Sequence, residues 1–115
     1  MVFIESRGFT KRLLELAKDK ADEVLGNMQR DLLQSPLRGS VVPGLAGIRK
    51  GRARNPGRGK GKRGGFRYLY LFVVRKNHIH LLFLLDKDEQ EDLSQPERVI
   101  LRRLVAEIET LSTRD

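Results

Sequence analysis

The sequence contains no cysteine and no long run of apolar residues. Without cysteine, the chain can form neither disulfides nor thiolate metal sites. The most apolar stretch, residues 81–85, is far too short to cross a bilayer, and residues 1–20 lack the pattern of a signal peptide. These absences predict a cytoplasmic protein without a membrane segment. A length of 115 residues suits one domain, residues 1–115, around one core.

Acidic residues are also missing from one segment, residues 48–67, which runs IRKGRARNPGRGKGKRGGFR. Nine of its twenty residues are lysine or arginine, and six are glycine. With nine of the 23 bases in this segment, the remaining bases nearly balance the 15 acidic residues. A solubilising loop would normally mix both signs. A basic segment on a near-neutral body therefore predicts a polyanion as partner, most often nucleic acid.

Helical periodicity predicts two helices in a hairpin near the N-terminus, with Thr10 as the N-cap and a polar interval at residues 18–22. Their apolar residues are interpreted as core rather than as a partner groove. They are Leu13, Leu14, Leu16, Ala17, Ala21, Val24, Leu25, Met28, Leu32 and Leu33. Ser94 and Glu97 form the capping box of a last helix, which ends near Leu111. Its predicted inward-facing residues are Val99, Ile100, Leu104, Val105, Ile108 and Leu111.

Strands are predicted at residues 3–5, 48–54, 66–75 and 78–85, with loops at 40–47 and 55–65. The strand at 66–75 is apolar on both faces, which predicts a central strand covered on both sides. Phe66, Tyr68, Tyr70, Phe72 and Val74 share one face, and the alternate residues share the other. The element order predicts a small α+β domain. An antiparallel meander sheet is covered by the N-terminal helical hairpin, and a C-terminal helix follows.

Several kinds of site are not supported by the sequence. Residues 57–62 lack the spacing of a nucleotide-binding Walker loop, and no Ser/His/Asp set can be assembled. His78 and His80 alternate on one strand face and could share a metal ion, but no third ligand lies near them in sequence. Two chance histidines are the favoured interpretation. No metal and no cofactor is predicted.

Four bases are predicted to meet at one polar end of the sheet: Lys50, Arg52, Arg67 and Lys87. Cations around one point attract an anion such as a phosphate, whereas the alternative is a set of separate surface charges. RNA cleavage by attack of the ribose 2′-hydroxyl needs a proton acceptor, a proton donor and cations around the phosphate. A lysine among other cations loses its proton more easily and can be the acceptor, while arginine holds phosphate oxygens.

Five short motifs follow one another along the chain: VPG at 42–44, GIRKGR at 47–52, GRGK at 57–60, RGGFRYLY at 63–70 and KDEQEDLS at 87–94. In this order they resemble the RelE/HigB superfamily of bacterial toxins, in particular the HigB-like branch. The resemblance covers nearly the whole chain. It implies a RelE/ParE-like fold and the toxin of a type II toxin–antitoxin system. Such a toxin is a ribosome-dependent, metal-independent mRNA endoribonuclease that cuts in the ribosomal A site and so inhibits translation.

By position, the resemblance implies that Lys50 and Arg52 are the paired bases of the second strand. It places Arg67 on the scissile phosphate and makes Lys87 the other functional lysine. Proton transfer falls to Lys87 or Lys50, and which of them is base or acid stays open. The remaining bases are expected to bind RNA or the ribosome: Arg49, Arg54, Arg58, Lys60, Lys62 and Arg63. The implied partners are the ribosome, mRNA and a cognate antitoxin, HigA-like with a helix-turn-helix DNA-binding domain.

The chain departs from the family pattern at three positions. Ala53 stands where a tryptophan is common, Asp88 where a base or an amide is common, and Ser94 where some members have an aromatic residue. Two alternative functions stay open. The ParE branch shares the fold and poisons DNA gyrase, but the four bases argue against it. A non-enzymatic RNA-binding module would need aromatic stacking platforms, which Tyr68 and Tyr70 could supply if they were exposed.

Overall fold

The computed structural model describes residues 1–56, 65–86, 90 and 92–113, and within them the chain forms a mixed α+β fold, as predicted. Five strands and three α-helices lie in these ranges. They are β1 (Val2–Glu5), α1 (Arg7–Ala17), α2 (Ala21–Gln34), β2 (Ser40–Val41), β3 (Arg49–Ala53), β4 (Phe66–Val73), β5 (His78–Asp86) and α3 (Gln95–Ser112). Short 3₁₀ turns, Lys18–Lys20 and Val74–Lys76, separate α1 from α2 and β4 from β5.

The sheet has the strand order β1-β5-β4-β3-β2, so β4 is central, as the sequence predicts. The antiparallel meander β3–β4–β5 is confirmed. Two edge strands extend it. β1 pairs in parallel with β5, and β2 pairs with Lys50 and Arg49 of β3. The prediction of an uninterrupted loop over residues 40–47 was therefore wrong at Ser40 and Val41, a segment too short to show a strand period.

The two faces of β4 carry two separate parts of the core. On one face its buried aromatic residues pack with α1 and α2: Phe66, Tyr68, Tyr70, Phe9, Leu13, Val24, Met28 and Leu32. On the other face Leu69, Leu71 and Val73 pack with Leu101 and Val105 of α3. Val74, predicted to share the first face, is 69% exposed because the chain leaves the strand after Val73.

The N-terminal helix begins earlier than its sequence suggests. Ser6, not Thr10, is the N-cap of α1, and its hydroxyl accepts a hydrogen bond from Phe9 N at 3.0 Å. Thr10 lies inside the first turns and donates to Glu5 Oε1 at 2.7 Å. The predicted break between two helices is confirmed, because Lys18 takes a positive φ of 51° that ends α1. Leu14 and Leu33, both predicted to be core, are exposed.

The buried face of α3 is rotated from the predicted one. Leu101 and Val105 are buried, and Leu104 and Ile108 are partly buried and pack against the same part of the core. Three residues predicted to face inward are instead exposed: Val99, Ile100 and Leu111. The predicted set mixed two helical faces, because neighbouring apolar residues at 99–101 fit more than one stripe of the 3.6-residue period. The capping box of Ser94 and Glu97 is confirmed.

Tyr70 ties the connection between α2 and β2 to the sheet. Its hydroxyl donates to Pro36 O at 2.8 Å and accepts from Gly39 N at 3.1 Å. The Arg49 guanidinium donates to two carbonyls of the same connection, Leu37 O at 3.1 Å and Gly39 O at 2.6 Å. Burial raises the pKa of Tyr70, so its phenol stays protonated and able to donate. This network holds β2 and the start of β3 in place.

Tyr68 lies beside Tyr70 with its ring centroid 5.6 Å away, but its hydroxyl bonds to none of the residues described. Burial, with a smaller effect from Tyr70, raises the pKa of Tyr68 to about 12. The side chain is fully buried, so its hydroxyl lost water on folding without gaining a partner. The two neighbouring tyrosines therefore differ in one respect, the bonding of their hydroxyls.

Tyr70→Phe is expected to lower the free energy of unfolding by about 1–3 kcal/mol, because Gly39 N and Pro36 O would lose their partner. Tyr68→Phe is the matched control. It removes a hydroxyl without a hydrogen bond, so stability should stay unchanged or rise slightly. Urea denaturation of both variants measures the difference. Equal losses in the two variants would show that the Tyr70 network does not stabilise the fold.

Candidate functional site

Three of the predicted site bases, Lys50, Arg52 and Arg67, lie on the sheet face that α3 packs against. In the pairing of β3 with β4, Arg52 lies opposite Arg67 and Lys50 lies opposite Leu69. Directly opposed residues project from the same face of a sheet. Leu69 belongs to the core under α3, which fixes the face. The structure thus brings these three bases together at the end of the sheet where β4 begins.

Lys50 and Arg67 line a common cleft of about 90 Å³. Its floor is apolar, with Leu69 from β4 and Leu85 from β5. Leu85 lies opposite Arg67 in the register of β4 and β5. The rim is completed by Val42, Asp92 and Leu93, of which the last two lie between β5 and α3. A cleft of this size suits a small anionic group rather than a large cofactor.

Among the residues that the structure describes, no carboxylate forms an ion pair with Lys50, Arg52 or Arg67. In residues 1–56, 65–86, 90 and 92–113, the one salt bridge joins Arg38 to Asp31, at 3.7 Å on the opposite side of the sheet. Lys50 and Arg67 are half-buried and Arg52 is exposed. Like charges held close together repel each other, and an incoming anion relieves this repulsion. The cleft can therefore accept an anion of the size of a phosphate.

Two further bases predicted to bind RNA lie next to this group in sequence. Arg49 points to the opposite face from Lys50, because side chains alternate along a strand. Its guanidinium is engaged with the carbonyls of Leu37 and Gly39, which gives it a structural role. Arg54 follows β3 and is exposed. Contact of either residue with RNA stays a prediction.

No family model matches the sequence, so comparison rests on solved structures. A double mutant of E. coli toxin RelE in the free state superposes with a TM-score of 0.55 at 14% identity, covering 78% of this chain and 86% of that one. The isolated E. coli RelE toxin gives a TM-score of 0.53 at 13% identity, covering 90% and 97%. The E. coli RelBE toxin–antitoxin complex gives 0.53 at 15% identity, covering 74% and 94%. This chain has the RelE toxin fold. Membership of the HigB-like branch stays a prediction.

Several predicted site residues of this RelE-fold chain lie outside the described residues: Arg58, Lys60, Lys62, Arg63 and Lys87. Lys87 follows the last residue of β5, Asp86, directly in the sequence. The Arg12 guanidinium lies near the same end of β5. Its Nε donates to Leu84 O at 3.1 Å, and its Cζ lies 5.7 Å from the centre of the Phe83 ring. Arg12 thus donates a hydrogen bond to the part of β5 that lies past its pairing with β1.

Sequence reasoning assigned Lys87, which follows β5, to the site but missed two later residues before α3. Asp92 and Leu93 both line the cleft. The signal available was the capping box, because it fixes the first residue of α3 and so places Asp92 and Leu93 directly before this helix. Gln90 strengthens this placement, since its Nε2 donates to Asp92 O and to Glu97 Oε1, each at 2.7 Å.

The two histidines lie on β5, away from the cleft. Their ring centroids are 6.3 Å apart. Burial lowers the pKa of His80, and the charge of the neighbouring His78 lowers it further. Within the ranges that the structure covers, no group of three or more His, Cys, Asp or Glu side chains could hold a metal ion. In the same ranges no helix combines the length and the apolar character needed to span a membrane.

Proposed function

We propose that this chain is the toxin of a toxin–antitoxin pair and acts as a ribosome-dependent endoribonuclease on mRNA. The observation that carries the proposal is the cleft shared by Lys50 and Arg67, with Arg52 opposite Arg67, in a chain with the RelE toxin fold. Adjacent cations that form no ion pair with a described carboxylate, on a small cleft, fit the binding of one phosphate. The HigB-like assignment from the sequence adds the ribosome and the A-site codon as the place of cleavage.

The proposed reaction is attack of the ribose 2′-oxygen on the adjacent phosphorus, giving a 2′,3′-cyclic phosphate and a free 5′-hydroxyl. Arg67 and Arg52 hold the non-bridging phosphate oxygens, because a guanidinium offers paired donors and stays charged. Lys50 and Lys87 supply positive charge, and one or the other takes part in proton transfer, from the 2′-hydroxyl or to the leaving 5′-oxygen. The proposed reaction uses no metal ion.

The bases of the glycine-rich segment are proposed to bind ribosomal RNA rather than to take part in the cut. Each phosphate contact releases counterions, so binding through such bases weakens steeply as salt concentration rises. Neutral substitutions at Arg58, Lys60, Lys62 and Arg63 should therefore weaken ribosome binding and reduce its salt dependence.

An antitoxin is the proposed protein partner, because one solved structure with this fold is a toxin–antitoxin complex. The expected antitoxin is encoded beside this chain and carries a helix-turn-helix domain. Its co-expression should restore growth to cells that are arrested by the chain alone.

The proposal is tested by induced expression and by cleavage of a defined message in a purified translation system, with and without ribosomes. We expect growth arrest, together with new mRNA 5′ ends inside translated codons that depend on the ribosome. Arrest with intact messages and altered DNA supercoiling would point instead to gyrase. No toxicity and no cleavage would contradict the proposal.

The burial of two tyrosines argues against the alternative of an RNA-binding module with an exposed aromatic platform. Tyr68 and Tyr70 are fully buried beneath α1 and α2, so neither ring can stack on a base. Any RNA contact therefore falls to the basic side chains.

A further inference from the structure

We propose that Asp92 is the catalytic residue that accepts the proton of the attacking 2′-hydroxyl, an inference that rests on the ribonuclease function proposed above. A lysine was the expected acceptor from the sequence. The geometry of the cleft offers a carboxylate instead.

Asp92 is placed among the groups that would hold the phosphate. It lines the same cleft as Lys50 and Arg67, and of the described residues around this cleft it alone is acidic. Its Oδ1 accepts a hydrogen bond from Leu93 N at 2.8 Å. Its Oδ2 bonds to none of the residues that the structure covers, and the side chain is exposed to solvent. One carboxylate oxygen thus anchors the side chain, and the other is available to a substrate hydroxyl.

The backbone that carries Asp92 is held from both sides. Gln90 N donates to Asp86 O, the last residue of β5, at 3.0 Å. The Gln90 side chain donates to Asp92 O and to Glu97 Oε1, and the same Glu97 oxygen accepts from Ser94 N at 2.8 Å. The capping box of α3 and the end of β5 therefore position Asp92 together. A side chain fixed in this way meets the geometric demand on a general base.

In the proposed reaction the aspartate accepts a proton and the lysine donates one. Aspartate is normally ionised and lysine normally protonated at neutral pH. In the proposed step the 2′-O–H bond breaks and its proton passes to the Asp92 carboxylate, while the 2′-oxygen forms a bond to phosphorus. The bond from phosphorus to the 5′-oxygen breaks, and this oxygen takes a proton from the Lys50 ammonium. Arg67 and Arg52 hold the phosphate. Exchange with water then restores both side chains.

A second role for this carboxylate predicts the opposite behaviour. If Asp92 only offsets the charge of the cleft, its neutralisation would favour RNA and leave the cut intact or faster. If it accepts the proton, neutralisation stops the cut while binding of RNA is kept or improved. Rate and binding, measured separately, therefore distinguish the two roles.

The test is single-turnover cleavage of a ribosome-bound message by wild type, Asp92→Asn and Asp92→Glu. Asparagine keeps the oxygen that accepts from Leu93 N but cannot take a proton, so a rate loss of at least about 100-fold is expected. Glutamate should recover part of the rate. Asp19→Asn, an exposed carboxylate in the turn between α1 and α2, makes the same charge change and should cut at the wild-type rate. Thermal unfolding confirms that each variant is folded.

Binding is measured in parallel with a message that carries 2′-deoxyribose at the scissile position and cannot be cut. Asp92→Asn should bind it at least as tightly as wild type. If Asp92→Asn cleaves the message at an unchanged or higher rate, the inference about Asp92 is overturned, while the ribonuclease function stands. A loss of binding that matches the loss of rate also overturns the inference and leaves that function standing. If wild type does not cut the message in this assay, the proposed function itself fails, and this inference fails with it.

Discussion

Arg67→Ala should abolish growth arrest and cleavage while the protein stays folded. Arg67 lines the cleft opposite Arg52 and next to Lys50, where its guanidinium would hold the phosphate oxygens. Removing one donor to a developing oxyanion typically costs about 100- to 1,000-fold in rate. The change leaves the apolar contacts of Leu69 and Phe66 in place, so the free energy of unfolding should shift by no more than about 0.5 kcal/mol. Growth after induction and thermal unfolding measure the two effects.

Arg75→Ala is the matched control for this variant. Arg75 lies in the exposed turn that follows β4, at the other end of the strand from the cleft. Arg75→Ala removes the same charge far from the cleft, so toxicity should persist. Arg67→Lys separates charge from geometry, because lysine keeps the charge but cannot make the paired hydrogen bonds of a guanidinium. Persistent toxicity in Arg67→Ala would remove Arg67 from the phosphate site.

Gly51→Ala should strongly destabilise the fold. An added Cβ would come within 2.6 Å of the Tyr68 hydroxyl oxygen and closer still to the ring carbon that carries it. Tyr68 is fully buried, and its ring cannot swing away without displacing the core beneath α1 and α2. Overpacking of this kind typically costs about 1–3 kcal/mol, and the short contact places this substitution at the upper end. Urea denaturation measures the loss.

Gly26→Ala makes the same chemical change in the middle of α2. Its Cβ would meet no atom closer than the tip of Arg30, at 3.5 Å. Alanine favours the helix over glycine by about 1 kcal/mol, so this variant should be more stable than wild type. A Gly51→Ala protein that unfolds at the wild-type urea concentration would show that Tyr68 can move.

The features that the sequence predicts well are local or periodic. The alternation through residues 66–73 is confirmed as a central strand, because both of its faces are apolar and a sheet buries such a strand on both sides. The capping box of Ser94 and Glu97 is confirmed because it depends on side chains only three residues apart. The two-residue spacing of Lys50 and Arg52 likewise places both on one face.

The features that the sequence does not predict depend on contacts between distant segments. The inward face of α3 is decided by Leu101 meeting the sheet, and the apolar residues around it fit a second face equally well. Asp92 lies at the cleft in a segment where Gln90 links the end of β5 to the first turn of α3. Neither the contact of Leu101 with the sheet nor the position of Asp92 at the cleft follows from a spacing of residues along the chain. The roles of the site bases also remain predictions, since geometry shows where a cation lies and not what it does.

The parallel pairing of β1 with β5 also sets an order of events during synthesis. Val2–Glu5 is synthesised well before its hydrogen-bond partners, His78–Leu81. Leu85, Asp92 and Leu93, which help to form the cleft, are made later still. Such long-range pairing is slow to form. A growing chain therefore carries the cleft bases of β3 and β4 before the residues that complete the cleft around them have been made.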